Sequence, residues 1–194
     1  VYAIDAREEA PAAYNEYVFC SDITCYESDG LSSDDCDSCD TIDFVNRRTG
    51  GLGIGVPGTF YGFTRLQQEF GSNDTWHQLF EDAIDYAENG YIAYQGFVDG
   101  INLVGSGYNV IDGLSKFNSS CKLLLNYPFC NESKYEVEDI VKNPDLGQTL
   151  SDLSEMDADE ALEYFYTGAI AEAIVAQTKS AVNPNTSRNG LMEL

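Results

Sequence analysis

The chain has 194 residues, 43% hydrophobic and 12% aromatic, and its 33 acidic and 10 basic side chains give a formal net charge of −23. This composition is typical of a globular chain with a substantial core rather than of a disordered one. Nucleic-acid binding depends on clustered Lys and Arg, so the charge excludes DNA and RNA partners, and it disfavours anionic membrane surfaces. No apolar run in the sequence approaches the ~20 residues that a membrane-spanning helix needs.

The chain opens on an alternating pattern, and residues 1–6 predict a strand. The first residue is Val1 rather than Met, and no signal peptide is evident, so we expect a mature or interior segment of a longer polypeptide. Residues 20–50 follow as a loop rich in Asp, Ser and Gly, which carries four of the six cysteines. The sequence thus predicts a single partial domain over 1–194, with a Cys/Asp-rich surface insertion at about 20–50.

Six cysteines allow up to three disulfides. The cysteines are Cys20, Cys25, Cys36, Cys39, Cys121 and Cys130. The spacing Cys36-x-x-Cys39 also suits zinc or redox chemistry, but the chain offers no second ligand pair and the motif lies in a polar run. Four sequons add to the even cysteine count, at Asn73, Asn118, Asn131 and Asn185. Together they favour a secreted, oxidising context, in which Cys121–Cys130 is the easiest local pair.

Helical patterns occupy the rest of the chain. A helix is predicted from Pro57 to Phe70, with Pro57 at its first position and Gly71 after its end. The next begins with the capping box Thr75-x-x-Gln78 and ends at Gly90. Its apolar stripe comprises Trp76, Leu79, Phe80, Ala83, Ile84 and Ala87.

Four further helical segments follow. One is predicted from Tyr94 to Val110, interrupted or ended by Gly105 and Gly107. Another carries Leu146, Leu150 and Leu153 on one face. Asp157-x-x-Glu160 caps a short helix that ends at Gly168, and a last helix is predicted for Ile170–Ala181.

Three patterns that could mark a site have a simpler structural interpretation. GLGIGVPG contains Gly53-x-Gly55-x-x-Gly58, the spacing of a dinucleotide-binding loop, but a polar segment rather than a hydrophobic strand precedes it. The acidic run of Asp34, Asp35, Asp37 and Asp40 lacks the ligand spacing of a calcium loop, so a solvated surface is favoured. His77 lies beside an apolar stripe with no implied nucleophile. We expect a boundary residue there.

Arg7 is the remaining candidate. It follows the predicted opening strand in IDAREEAP and is one of only ten basic residues. An ion pair with Asp5, Glu8 or Glu9 would give it a purely structural role, and spacing alone favours that role over a binding site.

Four collinear segments change this balance. They are IDAREEAPAA, GGLGIGVPGTFYGF, TWHQLFEDAIDYAENGY and DADEALEYFYTGAIAEAIV. In this order they resemble the large subunit of the γ-glutamyltranspeptidases, also called glutathione hydrolases, over most of positions 2–178. The resemblance implies an α+β fold that forms part of an αββα N-terminal-nucleophile-hydrolase sandwich, mostly helical after an opening strand. It also implies that the glycines of GLGIGVPG allow close backbone packing at a turn into a helix.

The resemblance further implies a precursor that cleaves itself into a large and a small subunit, whose new N-terminal Thr attacks γ-glutamyl amides such as glutathione. That Thr lies outside these residues, so this segment has no catalytic residue of its own. By the resemblance, Arg7 grips the α-carboxylate of the γ-glutamyl donor, and no cofactor or metal is implied. The expected location is extracellular, secreted or on the outer face of the plasma membrane. The alternative is a catalytically inactive, extracellular structural or binding glycoprotein of the same family.

Overall fold

The computed structural model describes residues 3–14, 49–71, 74–105 and 108–193. The helices of this part are α1 (Thr59–Phe70), α2 (Glu81–Glu88), α3 (Gln95–Ile101), α4 (Val110–Ser115), α5 (Asn118–Leu124), α6 (Pro144–Ser154), α7 (Ala158–Tyr166) and α8 (Ala169–Ser180). Its strands are β1 (Tyr91–Ile92), β2 (Val104–Gly105), β3 (Tyr108–Asn109) and β4 (Ile140–Val141). The described residues also include two short 3₁₀ helices, at Gly51–Gly53 and His77–Leu79. The described part is therefore mainly helical, as predicted.

The chain forms two compact units. One comprises Val1–Gly62 and Phe165–Leu194, and the other comprises Phe63–Tyr164. No helix among the described residues combines the length and the apolar character needed to cross a membrane.

The second unit contains the predicted capping box. The Thr75 amide donates to Gln78 Oε1 at 2.8 Å, and the Gln78 amide donates to Thr75 Oγ1 at 3.3 Å. This reciprocal pair starts the 3₁₀ turn that leads into α2. Helix α2 packs against α6, and the Trp76 indole donates to the Leu153 carbonyl oxygen at 2.9 Å. A helix does precede Gly90, but it begins at Glu81, after the 3₁₀ turn, rather than at the capping box. Leu79 and Ala83 of the predicted apolar stripe are exposed.

The core of the second unit is built around the end of α5. Its buried members are Ala93, Ile101, Cys121, Leu125, Tyr135 and Val141. Strands β1 and β4 pair in antiparallel fashion beside it, with Tyr91 opposite Val141. Cys121 and Cys130 are joined by a disulfide. The other four cysteines lie outside the described residues, and the loop predicted for residues 20–50 is described only at Thr49 and Gly50.

The long helix predicted from Tyr94 to Val110 is wrong. Helix α3 ends at Ile101, the strands β2 and β3 form a hairpin, and α4 begins at Val110. Asn109 starts α4 because its side-chain oxygen accepts a hydrogen bond from the Asp112 amide at 3.3 Å. The apolar period continued across the hairpin, which is why the sequence pattern did not reveal the break.

Two predicted boundaries in the first unit also differ. Residues 3–8 form no strand, and their segment makes only an isolated bridge between Glu9 and Val56. A strand forms only where a neighbouring strand can pair with its backbone N–H and C=O groups. Among the described residues, this segment has only the single bridge at Glu9, so no strand forms. Helix α1 begins at Thr59 rather than Pro57.

The helices predicted near the C-terminal end match well. The Asp157 carboxylate caps α7 by accepting from the Glu160 amide at 2.8 Å, and α8 follows.

Candidate substrate-binding site

Arg7 lies in an exposed turn of the first unit. Its amide donates to Asp5 Oδ1 at 3.2 Å, and its Nη2 donates to Glu8 Oε1 at 2.7 Å. The Arg7 side chain is 81% exposed. The contact with Glu8 uses one of the guanidinium group's five N–H donors. Arg7 is therefore oriented by a neighbouring carboxylate while its planar face and other donors remain open to solvent.

Glu8 keeps its negative charge in this turn. Its pKa lies below the usual value, first because its carboxylate accepts a hydrogen bond from its own backbone amide, and second because Arg7 donates to it and carries the opposite charge. Both partners are exposed, so the pair contributes little to stability. In this structure the pair places Nη2 of Arg7 beside Oε1 of Glu8.

Three glycines pack closely against the Arg7 turn, namely Gly55 and Gly58 of GLGIGVPG and Gly62 of α1. A Cβ at Gly58 would collide with the Arg7 carbonyl oxygen and would lie 2.6 Å from the Ala6 carbonyl oxygen. A Cβ at Gly55 would lie 2.9 Å from Glu8 Cγ, and one at Gly62 would collide with Ala6 Cβ. Any larger residue at these places would displace the turn. The prediction that these glycines serve close packing of the backbone is confirmed.

The Tyr166 side chain hydrogen-bonds to the backbone at the start of α1. Its hydroxyl donates to the Pro57 carbonyl oxygen at 2.7 Å and accepts from the Tyr61 amide at 3.1 Å. The Tyr61 amide is one of the N–H groups that the start of α1 leaves without a helical acceptor, and the Pro57 carbonyl oxygen lies just before the helix. Burial raises the pKa of Tyr166, so its hydroxyl stays protonated as a donor. The Phe60 and Phe165 rings stack beside it, with centroids 4.7 Å apart.

A small open pocket of about 50 Å³ lies in the first unit beside Tyr166. Its wall includes Val56, Pro57, Tyr166, Ile174 and Met192. The lining is mainly apolar, so it suits a hydrophobic group better than the carboxylate that Arg7 would attract.

The other predicted residues have local roles or lie outside the description. His77 is in the second unit, where its Nδ1 lies 3.2 Å from Ser154 Oγ and 3.4 Å from Glu155 Oε1. Because both contacts involve the same ring nitrogen, this is not a relay of nucleophile, base and acid. Asn118, Asn131 and Asn185 are exposed, whereas Asn73 and the acidic run at residues 34–40 lie outside the described residues. Within the described ranges, no group of three or more His, Cys, Asp or Glu side chains is placed to hold a metal ion.

Sequence reasoning missed the part played by Tyr166. Its position in FYTG, after an apolar stripe, indicated only a helix end. A signal was present in hindsight, since a tyrosine at a half-buried helix end usually has a partner for its hydroxyl. The partner itself is more than 100 positions away in the sequence, which is why spacing could not reveal it.

Known proteins resemble this chain in sequence and in fold. The sequence profile of the family described as gamma-glutamyltranspeptidase matches residues 1–193. Scoloptoxin SSD14 from Scolopendra dehaani is 30% identical over 177 residues, which cover 91% of this chain and 25% of that protein. Among solved structures, the gamma-glutamyltranspeptidase of Helicobacter pylori matches with a TM-score of 0.68 and 24% identity. That match covers 91% of this chain and 42% of the other. The Pseudomonas nitroreducens enzyme complexed with L-DON matches with a TM-score of 0.58, 24% identity and the same coverage.

The chain belongs to the gamma-glutamyltranspeptidase family. Its fold is similar to that of the two solved gamma-glutamyltranspeptidases. It spans less than half the length of those enzymes and a quarter of the toxin relative.

Proposed function

We propose that this chain is an internal part of the large subunit of an extracellular γ-glutamyltranspeptidase, and that Arg7 binds the α-carboxylate of the γ-glutamyl donor. The observation that carries the proposal is the turn itself. Arg7 is exposed and directed by Glu8, and it is supported by glycines that admit no side chain. A guanidinium group can hold a carboxylate through two parallel hydrogen bonds, a geometry that an ammonium group cannot provide.

The charge of the chain makes a local cation necessary. With a formal net charge of −23, these residues repel anionic substrates such as glutathione at long range. An exposed guanidinium group offsets that field at the point where the α-carboxylate of the γ-glutamyl donor would bind.

The chemistry of the proposed enzyme lies on the partner polypeptide, the small subunit of the same precursor. Its N-terminal Thr attacks the γ-carbonyl carbon, the Thr proton passes to its own α-amine, and the amide nitrogen leaves with a proton. The γ-glutamyl group is then transferred to water or to the amine of an acceptor. In this scheme Arg7 contributes position rather than bond making.

Turnover of a chromogenic γ-glutamyl anilide by the assembled precursor tests the proposal. We expect anilide release that increases when a dipeptide acceptor is added. An assembled, processed protein that releases no anilide would rule out the enzymatic function.

The second candidate is a family member that has lost catalysis and acts as an extracellular structural or binding glycoprotein. The relative named as a scoloptoxin favours it, because its name describes a venom component rather than an enzyme. The residue at the processing junction of the precursor discriminates between the two. A Thr there supports the enzyme, and any residue without a side-chain nucleophile supports the inactive protein.

A further inference from the structure

The loop that follows α5 exposes an aromatic ring on a firmly held turn. The Cys121–Cys130 disulfide closes the loop, and a bridge between Leu125 and Ser133 joins its two ends. Phe129 lies near its tip and is 79% exposed, the highest value among the large exposed hydrophobic residues described. A single exposed apolar side chain is common on protein surfaces, so the Phe129 ring becomes informative only through the residues that lie beside it.

Asn126 holds the turn that carries this ring. Its carbonyl oxygen accepts from the Phe129 amide at 3.0 Å and from the Cys130 amide at 3.2 Å. Its side-chain oxygen accepts from the Asn131 amide at 3.1 Å. Three successive residues are thus bound to one asparagine, so Phe129 and Asn131 keep a fixed relationship to each other.

Asn131 opens the sequon Asn131-Glu132-Ser133, and Phe129 precedes it by two positions. The other three sequons have Gly71, Lys116 and Asn183 at the corresponding position. An aromatic residue at that place is therefore specific to Asn131. The Asn131 residue is itself exposed, so the folded chain has room for a glycan at this position.

We propose that Asn131 carries an N-linked glycan whose first sugar packs on the Phe129 ring. A pyranose sugar presents a row of C–H groups on one face, and the negative face of an aromatic ring attracts such polarised hydrogens. The contact also removes the ring from water. The inference rests on the proposed extracellular function, since N-glycans are added in the secretory pathway.

The neighbouring tyrosine does not need the same cover. The Lys122 ammonium lies 5.3 Å from the centroid of the Tyr127 ring, within reach of a cation–π contact. Tyr127 is therefore partly satisfied by its own chain, which leaves Phe129 as the ring that the sugar would contact.

The covalent step needs a diphosphate-linked lipid oligosaccharide as its co-reactant. The Asn131 side-chain nitrogen attacks the anomeric carbon, a C–N bond forms, the C–O bond to the diphosphate breaks, and the amide loses one proton. In the folded chain the Ser133 hydroxyl donates to the Tyr135 carbonyl oxygen at 3.0 Å. Because that hydroxyl belongs to the acceptor sequence, transfer takes place before this segment folds.

The test is a pair of measurements on the full precursor, secreted from a eukaryotic host behind a heterologous signal peptide. Glycopeptide mass spectrometry gives the occupancy of Asn131 and of Asn118, which has Lys116 in place of the aromatic residue. Thermal unfolding is then compared for the glycosylated protein, for protein trimmed to the first sugar, and for fully deglycosylated protein. The same series is run on Phe129→Ala, with Asn118→Gln as the matched control.

We expect Asn131 to be occupied and the melting temperature to persist after trimming but to fall when the first sugar is removed. That fall should be lost in Phe129→Ala, whereas Asn118→Gln should leave it unchanged. An unmodified Asn131 beside an occupied Asn118 would overturn the proposal, and so would an equal fall with and without Phe129. Because the signal peptide is supplied, and anilide turnover is measured on the same preparations, failure here is distinguishable from failure of the proposed function.

Discussion

The amide of Val56 donates to the carbonyl oxygen of Glu9 at 2.7 Å, and the amide of Glu9 returns a hydrogen bond to the Val56 carbonyl oxygen at 3.2 Å. This pair fastens the Arg7 turn to GLGIGVPG within the first unit. Since Gly55 and Gly58 lie on either side of Val56, the same few residues supply both the attachment and the space that the turn requires. The position of the Arg7 guanidinium group therefore depends on backbone packing as well as on its ion pair.

Replacement of Arg7 by Lys should impair donor binding while preserving the fold. The ammonium group keeps the charge but loses the planar pair of donors, and a hydrogen bond to a charged group contributes about 1.5–3 kcal/mol. We expect kcat/KM for a γ-glutamyl anilide to fall about 10- to 100-fold, mostly through KM. Steady-state kinetics of the assembled enzyme measure this. Unchanged kinetics would remove Arg7 from the site.

Replacement of Gly58 by Ala should displace the Arg7 turn without touching its side chain. The added methyl group would meet the carbonyl oxygens of Ala6 and Arg7, so the backbone must shift, and misplacement of a binding group can cost up to about 100-fold in rate. We expect a raised donor KM together with a loss of about 1–3 kcal/mol in stability.

Gly100→Ala is the matched control for Gly58→Ala. Gly100 lies in α3, where an added Cβ meets no atom within 4 Å. We expect it to stabilise the protein by about 0.5–1 kcal/mol and to leave KM unchanged. If both variants behaved alike, the close approach at Gly58 would have no bearing on binding.

Replacement of Tyr166 by Phe should weaken the first unit by about 1–2 kcal/mol, because the Pro57 carbonyl oxygen loses its donor and the Tyr61 amide loses its acceptor. The pKa of Tyr166 is raised in the fold, so its contribution is complete below the unfolded value near 10 and is lost as the pH rises through the folded value. Chemical denaturation between pH 8 and pH 11 should therefore show a shallower alkaline decline for the variant. Burial raises the pKa of Tyr91 as well, so some decline should persist. Tyr86→Phe, at an exposed site, is the control and should leave the stability unchanged.

His77 should carry its proton on Nδ1 when the ring is neutral. The Ser154 hydroxyl already donates its hydrogen to the Ser151 carbonyl oxygen at 2.8 Å, so its oxygen can only accept from His77 Nδ1 at 3.2 Å. Long-range nitrogen–proton NMR in mildly alkaline buffer reports the tautomer directly, and His77→Gln assigns the signal. Ser154→Ala should shift the population toward Nε2–H. A wild-type ring protonated mainly on Nε2 would contradict the hydrogen-bond assignment.

The elements that could be predicted from sequence are those whose cause is local. The capping box at Thr75, the Asp157 cap and the end of α2 just before Gly90 each depend on residues within one or two turns of one another. The predictions of an opening strand and of a helix through Val110 were wrong, because each element depends on a pairing partner that residue spacing does not reveal. The apolar alternation at residues 1–6 requires a neighbouring strand, and the apolar period near Val104 also fits a hairpin.

By itself the sequence determined the family, the predominance of helices and the identity of Arg7 as the candidate cation, because these follow from collinear motifs, periodicity and a scarcity of basic residues. Only the tertiary structure decided how Arg7 is held. The Tyr166 hydroxyl reaches Pro57 across more than 100 positions, and Gly58 has its value only because the Ala6 and Arg7 carbonyl groups lie against it. Contacts of this kind form between segments that are distant in sequence, and no local propensity encodes which surfaces will meet.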